Sequence, residues 1–135
     1  MSEISIWIAV GTGGAAGAIL RGLIFRAIEQ WSPMQTDGRL AGFGSARATL
    51  IVNVIGSFVL GAIVGRLPNP TVSASDPALA FWVTGLCGAV TTFSTLCADA
   101  IGHARRGNRT RLAVILLANT MLGIAALMLG LAMTS

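Results

Sequence analysis

The stretch "GLCGAVTTFSTLCADA", Gly85 to Ala100, lies inside an otherwise apolar segment. Four hydroxyl residues, Thr91, Thr92, Ser94 and Thr95, surround Phe93, and Asp99 closes the run. Clustered Thr and Ser side chains bond to nearby backbone and loosen a helix. Gly85 and Gly88, just upstream, lower helical preference further. The stretch therefore predicts a helix break at Thr92 and Ser94. A break at membrane depth is tolerated where it lines a cavity or is buried in protein. Freed carbonyls at such a break suit a small cation, and freed N–H and hydroxyl groups suit an anion. Phe93 also fits an anion, because an aromatic ring has a positive edge. A ring edge attracts without the deep trap of a full charge, and conduction requires that the ion leave again. The residues by themselves leave a kinked packing helix with no ion equally open.

Composition places this segment in a membrane. Of 135 residues, 54% are hydrophobic and 10% charged, against about 25% charged in a soluble domain. Mean hydropathy is +0.78. Length predicts a single domain over residues 1–135. Four apolar runs are each about long enough to cross a bilayer core, which requires roughly 20 residues: 4–28, 48–65, 77–102 and 112–133. Backbone groups in lipid must be satisfied within the segment, so the spans are expected to be helices and the fold all-α. The N-terminal stretch begins with an acid, Glu3, instead of a basic region, and the apolar character of the first run continues past the small residues. It reads as a retained span and not a cleaved signal. "EQWSPMQTDGRLAGFGSAR" reads as a surface-lying connection, "RLPNPTVSASDP" as a turn-forming loop and "HARRGNRTR" as a short basic turn.

All nine basic residues are arginine. They are not interleaved with aromatics, which argues against nucleic-acid binding. With four spans, both termini and the central loop share one side, which holds only Arg66. The other side holds Arg39, Arg47, Arg105, Arg106, Arg109 and Arg111, with Arg21 and Arg26 near the end of the first span. The positive-inside rule puts the first and third loops in the cytoplasm and both termini outside.

Other features read more plainly. Cys87 and Cys97 would lie about 15 Å apart along a helix, too far for a disulfide. His103, at a segment end, reads as an interfacial residue. Gly13 and Gly17, like Gly61 and Gly65, are four apart, a spacing that lets helices approach closely in lipid. Such packing serves one chain, and some of these faces are expected to meet a second subunit. "VGTGGAAGA" has the spacing of a dinucleotide-binding loop but runs on into a span, not a βαβ unit. Asn53 lies mid-span with Ser57 on the same face. It is either interhelical glue or a pore-facing donor, since its amide offers two N–H groups. Arg21 and Asp99 are ionisable residues near span ends, and such residues are functional candidates.

Three ordered motifs together resemble one family. "GLCGAVTTFSTL" is similar to the third-helix signature of the Fluc-type (CrcB) fluoride channels, "TLIVNVIGSFVLG" to their second-helix signature and "GGAAGAILR" to their first. The resemblance covers most of the chain. It implies a four-helix subunit, broken in its third helix, that pairs antiparallel into a dual-pore dimer. Such a dimer exports fluoride passively across the plasma membrane. It also implies a structural sodium ion at the dimer centre on the carbonyls of Gly88 and Thr91. By motif position the fluoride pore takes Asn53, Phe93, Thr95 and, where the family often has serine, Asn119. Arg21 and Asp99 match vestibule positions, the latter usually Glu. Two positions depart from the pattern: Leu96 stands where a second phenylalanine is usual, and Ile115 where a tyrosine is usual.

Two rival functions follow from the residues. A small multidrug-type proton-coupled exporter needs a membrane-embedded carboxylate, and the first span offers only Glu3 and Glu29 near its ends. A non-conducting scaffold for an active relative is kept open by Leu96 and Ile115. No nucleophile and base pair supports an enzyme. The arginine bias and the two departures suggest a heterodimer with an oppositely oriented paralog, in place of a homodimer that inserts both ways. Topology reporters fused to the C-terminus are accordingly expected to show one orientation, outside. An equal mixture of orientations, or an antiparallel conducting dimer from the chain expressed alone, would overturn this.

Overall fold

A computed structural model describes residues 3–30, 41–67 and 76–134. Four helices are long and apolar enough to cross a membrane, and the described residues form an all-α fold. The first helix runs Glu3–Gln30 without interruption, so the glycine-rich "VGTGGAAGA" is mid-helix and not a nucleotide loop. The second runs Ala41–Gly65, starting ahead of the apolar run and taking in the end of the glycine-rich connection. The rest of that connection, 31–40, and most of the proline-rich loop, 68–75, lie outside the described residues.

The third span, Pro77–Arg105, is composite. Asp76 caps it, accepting from the Ala78 N–H at 2.9 Å, with Pro77 in the first turn, where its missing N–H costs nothing. Ala80–Cys87 winds as a π-helix, and the Gly88 N–H reaches back five residues to the Val83 carbonyl. Gly88–Val90 closes the N-terminal half. Thr91 and Thr92 are extended, and Phe93–Arg105 forms the C-terminal half. The break thus falls at Thr91 and Thr92, while Ser94 lies in the first turn after it.

The third span ends in a glycine turn. Gly107 has φ +72, a conformation that favours glycine. Its N–H donates to Ala104 at 3.0 Å, and the Asn108 N–H donates to His103 at 3.0 Å. These two bonds satisfy carbonyls that a helix end otherwise leaves orphaned. Asn108 then caps the fourth helix, Arg109–Ala132, accepting from the Arg111 N–H at 3.3 Å.

Glycines decide which helices meet. The first helix lies along the N-terminal half of the third span, and the second pairs most extensively with the fourth. A Cβ on Gly13 would strike the Phe81 carbonyl, and one on Gly17 the Leu86 carbonyl at 2.5 Å. Gly61 and Gly130 stand at the same close approach to the Leu127 and Phe58 carbonyls. Both predicted glycine pairs therefore pack within one chain, and neither is left for a second subunit. Gly11, Gly22 and Gly88 instead have open space or only distant contact where a Cβ would go. Little of each helix is covered: 11% of the apolar window of the first span and 17% of that of the fourth are buried.

The two kinds of glycine respond oppositely to substitution. Gly13→Ala is expected to destabilise the fold by about 1–3 kcal/mol through overpacking against backbone. Gly22→Ala is expected to be neutral or to stabilise by up to about 1 kcal/mol through helix propensity. Reversible unfolding in detergent micelles measures both, and equal effects would contradict this packing.

Candidate functional site: the break in the third span

The break is held by one side chain from the second helix. The Thr92 N–H donates to Asn53 Oδ1 at 2.7 Å, and Asn53 Nδ2 donates to the Thr92 carbonyl at 3.2 Å. The amide orientation follows from these partners, because an N–H needs an acceptor and a carbonyl needs a donor. Asn53 Nδ2 also donates to Asn119 Oδ1 at 2.9 Å, and Asn119 Nδ2 donates to the Ile115 carbonyl at 3.3 Å. Both N–H groups of Asn53 are thus engaged inside the chain. Asn119 Nδ2 carries a second N–H beyond the one given to Ile115.

The hydroxyls arrange themselves around the new helix start. Thr92 Oγ1 accepts from the Thr95 N–H at 3.2 Å, as an N-cap does. It also lies 2.9 Å from Thr95 Oγ1 and 3.3 Å from Ser94 Oγ. Thr91 Oγ1 turns back to the Cys87 carbonyl at 3.0 Å. In an uninterrupted helix the Thr92 N–H would serve the Gly88 carbonyl. Asn53 diverts it, so the Gly88 carbonyl loses that donor.

A groove of about 500 Å³ opens at this point. Asn53, Gly88, Thr91, Phe93 and Asn119 line it, as do Thr92 and Leu96. Phe93 is 76% exposed, its ring projecting from the chain at the break. Leu96, by contrast, is 7% exposed. Gly56 backs the groove, with Thr91 Cγ2 where a Cβ would stand. Thr95 and Ser94 adjoin the groove through Thr92 without lining it. Arg21 is half-buried and stands outside the lining. Asp99 also stands outside, accepting from Thr49 Oγ1 at 3.1 Å.

Thr49 was not singled out from sequence. It is fully buried, and with Asn53 and Ser57 it forms a polar line at four-residue spacing along the second helix. That spacing was the signal available. His103, read as interfacial, turns inward and is 4% exposed. Cys87 and Cys97 are free thiols, the first buried. Among the described residues no group of His, Cys, Asp and Glu side chains could hold a metal ion.

The sequence profile of the family described as "CrcB-like protein, Camphor Resistance (CrcB)" matches residues 8–131. A protein of Agrobacterium fabrum named "Fluoride-specific ion channel FluC" is 39% identical over 92% of this chain and 91% of its own length. Proteins with the same name from Pseudoalteromonas translucida and from a Sulfurovum species are 34% and 37% identical. They cover 90% and 91% of this chain, and 93% and 88% of their own lengths.

The Asn53 latch should be the costlier of the two amides to remove. Asn53→Ala leaves the Thr92 N–H and carbonyl without partners, at about 1–3 kcal/mol for each buried group. Asn119→Ala removes one side-chain partner and is expected to cost less. Hydrogen exchange at the Thr92 amide, with unfolding in micelles, gives the order, and the reverse order would refute the latch.

Proposed function

The chain belongs to the CrcB family, and on that premise we propose that it is a subunit of a fluoride-specific channel that passively exports fluoride across the plasma membrane. The family's named relatives are ion channels, and the chain is not an enzyme. The observation that carries the reading is the placement of Phe93. Its ring stands exposed at the helix break, beside the Asn53–Asn119 amides and the Thr92 hydroxyl. Fluoride is small and strongly hydrated, so a pore must replace its water with donors. The second N–H of Asn119 and the ring edge of Phe93 offer such contacts without a full positive charge. Thr95 supports them through its bond to Thr92. Asn53 serves this path by holding the break open, since both its N–H groups are spent within the chain. Arg21 and Asp99 flank the path as vestibule charges.

An exposed aromatic and an exposed glycine at membrane depth favour a protein neighbour over lipid. Phe93 and Gly88 are such residues, and an antiparallel second subunit against this face completes the pore. At that junction the carbonyls of Gly88 and Thr91 suit a structural sodium ion. The Gly88 carbonyl lacks its helical donor, and Thr91 is extended, so both are released from the helix. A hard cation takes oxygen ligands, and a two-fold related partner supplies the same set again. The ion would tie the two breaks together.

A second reading has its own support. Leu96 is buried where the family usually has an aromatic, and the Ile115 carbonyl takes an Asn119 N–H. A subunit with these losses would scaffold a conducting relative.

Fluoride efflux from liposomes decides between them, with valinomycin carrying the countercurrent. The chain is reconstituted alone and with an oppositely oriented relative. Efflux is expected at least from the pair, and Phe93→Ile in this chain is expected to abolish this chain's share of it. Because Phe93 is exposed, that variant leaves the subunit fold intact. Conduction by the pair that ignores both Phe93→Ile and Asn53→Asp would establish the scaffold reading instead.

A further inference from the structure

We propose that the arginine turn between the third and fourth spans binds the headgroup phosphate of an anionic phospholipid, whose acyl chains lie on the exposed apolar residues beneath it. The inference uses the membrane-spanning character of the helices and is independent of the conduction reading. Arg105, Arg106, Arg109 and Arg111 fall within seven residues that contain no acid. All four are exposed. Asp99, the nearest acid along the chain, is occupied by Thr49. Among the described residues, no carboxylate pairs with Arg105, Arg106 or Arg109.

The turn is tight. Only residues 106–108 separate the two helices, and the bonds from Gly107 and Asn108 back to Ala104 and His103 lock it. Arg105 in the last turn of one helix and Arg109 in the first turn of the next are therefore presented at the same membrane edge. Three backbone donors at the start of the fourth helix are already engaged. The Arg109 N–H serves Gly107, the Arg111 N–H serves Asn108 Oδ1 and the Leu112 N–H serves the Asn108 carbonyl. The charged donors that a ligand meets there are the guanidinium groups, whose forked donors match a phosphate.

What lies below the arginines selects a lipid over free phosphate. Ile101, one helical turn before Arg105, is 53% exposed. Leu117, two turns after Arg109, is 61% exposed, and Val114 beside it is 58% exposed. Ile101 and Leu117 thereby share a face with Arg105 and Arg109, and Val114, three residues after Arg111, shares one with Arg111. Charge above an apolar stripe on two adjacent helices is the pattern of a phosphodiester at the interface with acyl chains along the wall.

The test uses the purified full chain in neutral detergent. Native mass spectrometry follows retention of phosphatidylglycerol, of phosphatidylcholine with the same acyl chains, and of inorganic phosphate. Phosphatidylglycerol is expected to be retained preferentially, and its affinity to fall roughly tenfold or more in Arg105→Gln/Arg109→Gln. The Arg105→Lys/Arg109→Lys variant should keep part of it, and Arg66→Gln, at the other end of the helices, all of it. Equal retention of phosphatidylcholine overturns the proposal, as does an unaffected glutamine variant or complete displacement by inorganic phosphate. Should the glutamine variant fail to fold, the wild-type chain still decides. Its phosphatidylglycerol retention must weaken with salt while phosphatidylcholine does not, and salt-independent retention refutes the site.

Discussion

The fold depends on how one backbone break is satisfied in a medium that offers no water. At Thr91 and Thr92 the third span leaves helical geometry, and its N–H and carbonyl groups must find partners in the protein. Asn53 supplies an acceptor and a donor to the same residue, Thr92, and hands a second N–H to Asn119. An unpaired backbone group in hydrocarbon costs several kcal/mol. The latch is therefore a condition for the break and not an ornament on it. It also ties three helices to one point, because Asn53, Thr92 and Asn119 come from the second, third and fourth spans.

The break resolves a packing problem. The N-terminal half of the third span lies on the first helix, at the close approach that Gly13 and Gly17 permit. The C-terminal half packs on the second and fourth helices, which are themselves drawn together by Gly61 and Gly130. Two extended residues between the halves let each follow its own partner. The cost of interrupting the helix is offset by the Asn53 bonds and by the Thr92 cap on the new N-terminus. Phe93, the first residue after that cap, is left with its ring outward. The proposed conduction path thus begins where the fold changes partners.

A membrane chain built this way leaves most of its helix surface exposed. The groove at the break, the bare glycine at Gly88 and the exposed Phe93 concentrate on one region at membrane depth. The arginine turn and its apolar flank occupy another, at the membrane edge. The proposed protein neighbour and the proposed lipid therefore draw on different residues.

Hydropathy, length and glycine spacing were legible in the residues, because they report on the solvent that each segment meets. They gave four helices, a break near Thr92, and the close-packing glycines. They did not say which helix each glycine would meet, and the pairs turned inward where a second subunit was also in view. Nor did they say that Asn53 would spend both its N–H groups inside the chain, leaving Asn119 the amide with one to spare. The Asn53–Asn119 bond joins residues 66 apart, and the Thr49–Asp99 bond residues 50 apart. Sequence by itself determined that this chain lives in a membrane and must satisfy a broken helix there, since burial in lipid is a local property of each segment. Which polar groups meet at the break was decided only by the tertiary structure. That choice depends on the relative rotation of packed helices, which no single segment encodes.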